Sequence, residues 1–98
     1  MTDYHSYDPG KGHGLPHNPI KAIIAPRPIG WISTIGADGV ANLAPYSFFN
    51  IVSEKPPILL FSSEGRKDTV RNIETTGEFV LNLVSRSMAK AMNISSAD

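Results

Sequence analysis

The apolar positions of this chain fall into short runs bounded by Pro and Gly. From Ile20 onward Ile, Val and Phe recur densely, and that spacing favours strands over long helices. Residues 20–25 read as a first strand that ends at Pro26. Ile29, Trp31, Ser33 and Ile35 then alternate with Gly30, Ile32 and Thr34, and after Gly36-Ala37-Asp38-Gly39 the pattern returns over residues 40–44. Asp-Gly accommodates the positive φ of a tight turn, so this stretch predicts a β-hairpin. Residues 46–52 are aromatic and β-prone. Ser53-Glu54-Lys55-Pro56-Pro57 breaks the pattern, and residues 58–62 predict a buried strand that the two prolines can only precede or flank.

A short helix is expected from Asp68 or Thr69 to about Thr75, with Asp68 as its cap, Val70 and Ile73 on one face, and Gly77 as its stop. Residues 78–84 alternate again, with Phe79, Leu81 and Leu83 on one face of a further strand. Ser85 or Ser87 opens a second helix through Met88 and Met92. About four to six short strands with two minor helices predict a small, mainly antiparallel barrel or curved sheet.

The first 19 residues break this picture. They hold three Gly, three Pro and all three His with almost no aliphatic side chain, which reads as a flexible tail ahead of a domain over residues 20–98. A chain of 98 residues supplies one domain at most. It stops soon after a helix begins, so the expectation is part of a larger fold, or half of a shared one, with at least one strand edge open.

Charge narrows the class of partner. Nine basic and nine acidic residues cancel, which removes the clustered excess of Lys and Arg that drives binding to nucleic acid or an anionic membrane. There is no cysteine, which excludes disulfides and thiolate chemistry. The longest apolar runs are far short of the roughly 20 residues of a spanning helix, and the N-terminus lacks a basic-then-apolar leader pattern. A soluble cytoplasmic protein is the expectation. His13 and His17 sit four apart in the tail, but Gly14 and Pro16 between them and the lack of a nearby carboxylate argue against a metal site.

Three clusters carry candidate chemistry. Ser62-Ser63-Glu64-Gly65-Arg66-Lys67-Asp68-Thr69 leaves a strand, presents adjacent cations and enters a helix. Free N–H groups, the helix dipole and two cations together suit an anion, most naturally a phosphate. On this segment alone, a solvated loop whose Asp68 caps the helix is the simpler reading. Arg27, held between Pro26 and Pro28, forms a rigid donor near Trp31, Ser33 and Thr34, whose hydroxyls need partners if buried. Asn42, Ala44, Pro45, Ser47 and Phe48 lie in a stretch whose small residues let a flat ligand approach the backbone. Taken singly, each of these two clusters is read more simply as structure.

Together and in order, these clusters resemble the flavin reductase-like, FMN-binding split-barrel family. The resemblance rests on Arg27-Pro28-Ile29-Gly30-Trp31-Ile32-Ser33-Thr34, on Asn42-Leu43-Ala44-Pro45-Tyr46-Ser47-Phe48-Phe49-Asn50, and on Arg66-Lys67-Asp68-Thr69 with Asn72-Ile73 and Thr76-Gly77-Glu78-Phe79-Val80-Leu81-Asn82. It implies a mainly β fold, an antiparallel Greek-key-like split barrel with short helices that 98 residues leave incomplete. It also implies a homodimer with FMN near the subunit interface, NAD(P)H as co-substrate and a small-molecule electron acceptor. Ser33, Thr34 and residues 42–48 would line the flavin, with Arg27, Pro28 and Trp31 as further cofactor-binding residues. Ser62, Ser63, Arg66, Lys67 and Thr69 would surround its phosphate, with Lys67 and Thr69 foremost and Asp68 a cap turned away.

No His or Cys lies outside the tail, and no positioned acid/base pair stands out, so no catalytic residue is assigned. The competing readings are a flavin-binding protein without reductase activity, an inactive fragment of a reductase, and an interaction domain built on an open sheet edge.

Overall fold

A computed structural model describes residues 3–96. A helical turn, α1 (Pro19–Ile23), leads into β1 (Gly30–Ile35), β2 (Ala41–Tyr46), β3 (Phe49–Ser53) and β4 (Ile58–Phe61). The longest helix, α2 (Asp68–Thr76), follows, then β5 (Val80–Asn82), a 3-10 turn at Arg86–Met88 and α3 (Ala89–Ser95). The strands form two antiparallel sheets, one ordered β2-β1-β5 and the other a β3-β4 hairpin, and no barrel closes among the described residues.

The β1–β2 hairpin matches the alternation and its Asp-Gly turn. It pairs Gly30 with Tyr46 and Ile35 with Ala41, and Gly39 takes φ 80° at the turn. Alternation then gives β1 two faces. Ile32 and Thr34 face α2 and are buried, while Ser33 on the other face is met by β5. The aromatic rings of Tyr46, Phe61 and Phe79 join the two sheets, with centroids 4.8 Å and 5.1 Å apart along that chain.

Several expectations need correction. Residues 20–25 are not a strand: Pro19 occupies the first turn of α1, the Asn18 side chain accepts from the Ile20 N–H at 3.0 Å, and Arg27 Nη1 donates to the carbonyls of Lys21 and Ile24. These caps override the β preference of the isoleucines. Residues 46–52 are not one strand either, because the chain changes sheets at Ser47 and Phe48. Residues 58–62 are covered on one face only, leaving Leu60 59% exposed. In residues 78–84 only Val80, Leu81 and Asn82 pair with β1, and Leu83 points into solvent at 92% exposure, off the face it was to share with Phe79.

Helix α2 runs one residue further than expected and stops as expected, at Gly77 in the left-handed region with its N–H on Ile73 C=O at 2.7 Å. Its start differs. Lys67 is the residue at the cap position and makes no side-chain cap, while Asp68 is already helical and pairs with Arg71 one turn on.

Candidate functional site

Strand β2 is an edge strand, so alternate backbone N–H and C=O groups along its outer side have no strand partner. Pro45, which has no N–H to give, is tolerated there. Along this edge runs a cleft of about 240 Å³, walled by Asn42 to Tyr46, by Lys67, Asp68 and Thr69 at the start of α2, and by Ser95 at the end of α3. A second hollow of about 200 Å³ adjoins it, lined by Lys21, Arg27, Ser47, Phe48, Ser62 and Glu64. Pro45, Tyr46 and Lys67 line both.

The two hollows differ in character. The first is a slot beside backbone and small side chains. The second gathers three cations against one carboxylate, with two serine hydroxyls between them. Lys21 Nζ and the Arg27 guanidinium stand 5.9 Å and 5.5 Å from the Phe48 ring centroid, a separation at which the ring face attracts both charges. Tyr46 is buried with no hydrogen-bond partner for its hydroxyl among the described residues, and Arg27 Nε is in the same position.

Several of the candidate residues serve the scaffold. Thr69 is 1% exposed, and its hydroxyl accepts from Asn42 Nδ2 at 2.9 Å. Thr34 accepts from Asn72 Nδ2 at 3.0 Å, and Asn82 Nδ2 reaches both Trp31 C=O and Ser33 Oγ. The Trp31 indole N–H donates to Ser95 Oγ at 3.0 Å, fastening α3 beside the cleft. Trp31 and Ser33 line a third hollow, which shares Asn42 and Leu43 with the slot and reaches Met88. Pro28 borders neither of the two adjoining hollows.

Arg66 and Lys67 do not act as a pair. Lys67 turns to the clefts, whereas Arg66 Nη2 meets Glu74 at 2.5 Å and, with Ser63, borders an apolar groove beside Phe61 and Phe79. Ser63 Oγ donates to Gly65 C=O at 3.2 Å. The sequence pattern does not single out Lys21 or Ser95. Lys21 was hidden by reading its segment as a strand, and Ser95 carries no local signal because its partner is Trp31, 64 residues away. Among the described residues no group of three His, Asp or Glu side chains is placed to hold a metal ion.

Two antiparallel sheets that do not close among the described residues, with a slot along an edge strand and a cationic hollow at its end, are the architecture of part of a split barrel. The model of the flavin reductase-like domain matches residues 24–98, and the chain belongs to that family. A protein of Aquifex aeolicus is 48% identical in an alignment of 80 positions that covers 76% of this chain and 41% of that protein. YwrF of Bacillus subtilis is 39% identical in an alignment of 82 positions that covers 80% of this chain and 40% of YwrF.

Among solved structures, nitrilotriacetate monooxygenase component B from Bacillus cereus superposes with a TM-score of 0.82 at 32% identity, covering 100% of this chain and 51% of that one. The 2-nitrobenzoate 2-nitroreductase NbaA of Pseudomonas fluorescens gives 0.75 at 35% identity over 81% of this chain and 40% of its own. The chain thus spans between two fifths and about half of these four proteins.

Proposed function

We propose that this chain forms the FMN-binding part of an NAD(P)H-dependent flavin oxidoreductase. One observation carries the reading: Lys67 stands where a slot along the open edge of β2 meets a hollow rich in cations and hydroxyls. A flat heteroaromatic ring suits the slot, where the backbone between Asn42 and Tyr46 can read its polar edge. A phosphate suits the hollow, where Lys67, Ser47 and Ser62 supply charge-assisted and hydroxyl donors. Bound FMN would supply two-electron hydride chemistry, and the residues here would bind it, orient it and limit water access.

Thr69 has two parts in this reading. Its hydroxyl accepts from Asn42 and so holds the first turn of α2 against β2, while its own O–H keeps its capacity to donate. The electron donor, a small-molecule acceptor, a cytoplasmic setting and a homodimer with the flavin near its interface belong to the same proposal, supported by the family.

The test is an absorbance and fluorescence titration of the purified protein with FMN and riboflavin. A saturating shift of the flavin bands or quenching of flavin fluorescence on binding FMN supports the proposal, and a protein that changes neither spectrum and retains no flavin after desalting sinks it. Lys67→Met should weaken FMN binding by about tenfold or more while sparing riboflavin, because only FMN carries the phosphate. A flavin carrier without reductase activity is the second reading, favoured by the absence of histidine from the walls of both hollows. Anaerobic mixing with NADH or NADPH separates the two, since only a reductase bleaches the bound flavin at the rate of turnover.

A further inference from the structure

We infer that Lys21, carried on α1, is a ligand for a phosphomonoester in the cationic hollow, and that Arg27 positions it there. The inference rests on the proposed flavin site and adds Lys21, a specificity element from outside the motifs that reveal that site. Lys21 lines the hollow together with Lys67, Ser47 and Ser62. Its position is built. Arg27 Nη1 donates to Lys21 C=O at 2.7 Å and to Ile24 C=O at 2.8 Å, placing a cation at the C-terminal end of α1, where helix carbonyls are otherwise unsatisfied. The same guanidinium lies over the Phe48 ring, and Lys21 Nζ reaches toward that ring as well. Phe48 therefore orders both cations at the mouth of the hollow.

Charge selects the ligand class. Lys21, Arg27 and Lys67 face one carboxylate, Glu64, so the hollow carries a surplus of two positive charges. A phosphomonoester carries roughly −1.5 to −2 at neutral pH, which matches that surplus. A phosphodiester carries about one negative charge per phosphate and brings a second substituent into a space of about 200 Å³. The hollow suits a terminal phosphate on a larger molecule. Two sources present one, the 5′-phosphate of FMN and the 2′-phosphate of NADPH, and the slot that opens from the hollow favours the flavin.

The experiment measures affinities of the whole protein for FMN, riboflavin, NADPH and NADH in wild type, Lys21→Met, Lys21→Arg and Arg27→Lys. Lys21 is exposed, so its substitutions leave the fold intact. Lys21→Met should lower FMN affinity by about tenfold or more with riboflavin unchanged, and Lys21→Arg should restore most of it. Arg27→Lys keeps the charge but loses the fixed fork, and should give the same FMN-selective loss. If Lys21→Met instead erases a preference for NADPH over NADH, the hollow holds the dinucleotide phosphate.

Unchanged or equal effects on FMN and riboflavin, with no change in the nicotinamide preference, overturn the inference; the Lys67→Met result then judges the flavin reading by itself. If the wild type binds no flavin, that reading fails. The hollow is then tested with inorganic phosphate against chloride at matched ionic strength. A thermal stabilisation by phosphate that Lys21→Met abolishes sustains the inference, and its absence in the wild type overturns it.

Discussion

The bond from Asn42 to Thr69 joins the edge strand to the helix that presents Lys67, and its energetic weight follows from burial. Thr69 is 1% exposed and its hydroxyl accepts from Asn42 Nδ2 at 2.9 Å. Asn42→Ala leaves that hydroxyl buried without its donor, at a cost of about 1–3 kcal/mol. Thr69→Val keeps the shape and removes the acceptor. Asn42 is only partly buried, so its amide can turn toward water, and the cost should fall at the low end, about 1 kcal/mol. Once Thr69 is valine there is no unpaired hydroxyl for Asn42→Ala to leave behind. The two changes should therefore couple by about 1 kcal/mol or more, the double mutant being little worse than Asn42→Ala alone. Urea unfolding of the four proteins measures this. With a slope of about 2 kcal/mol per molar, Asn42→Ala should move the midpoint down by about 1 M. Losses that add to within about 0.3–0.5 kcal/mol would refute the reasoning, because they would mean the two side chains act independently.

Two further outcomes follow from the same geometry. Arg66→Ala should leave FMN affinity unchanged and shift stability by less than about 1 kcal/mol in the same titrations, since its pair with Glu74 is more than half exposed on the arginine side. Trp31→Phe should cost about 1–2 kcal/mol in urea unfolding through the lost bond to Ser95 and the smaller ring, and protease cleavage near α3 should become faster as that helix loosens.

The parts of the fold legible in the sequence are those fixed by neighbours in the chain. Asp38-Gly39 sets the β1–β2 turn within a few residues, and Gly77 stops α2 because its left-handed conformation is a local property. Residues 20–25 failed for the opposite reason. Their isoleucines favour a strand, but Asn18, Pro19 and the more distant Arg27 together close a helical turn. Arg66 and Lys67 show the same limit within the site. Charge alone joins them, while the extended backbone at Lys67 and the availability of Glu74 on α2 send them to different surfaces. Ser33 and Thr34 were legible as hydroxyls needing partners, and they have them. That the partners are amides from β5 and α2 depends on contacts 49 and 38 residues away in sequence.

The link between the two sheets and the floor of the site are one piece of chain. The β1–β2 ladder ends at Tyr46 opposite Gly30, and the β3–β4 ladder starts at Phe49 opposite Phe61. Ser47 and Phe48 lie between the two ladders, where Phe48 C=O accepts from Ser62 N–H at 2.9 Å, and their side chains line the cationic hollow, the Phe48 ring lying beside two cations. So short a crossing requires β3 to pass close over β1, and it does so at Gly30: a Cβ built there would lie 2.6 Å from the Phe49 ring. Gly30→Ala must therefore push Phe49 aside, at about 1–3 kcal/mol, and Phe49→Leu should recover part of that loss. The displaced segment is the one that carries Ser47 and Phe48. FMN affinity of the folded protein, measured well below its unfolding midpoint, should fall with Gly30→Ala although Gly30 lines neither hollow. Lost stability with unchanged FMN affinity would show that the crossing can shift without moving the site, and the coupling argued from Gly30 would be wrong.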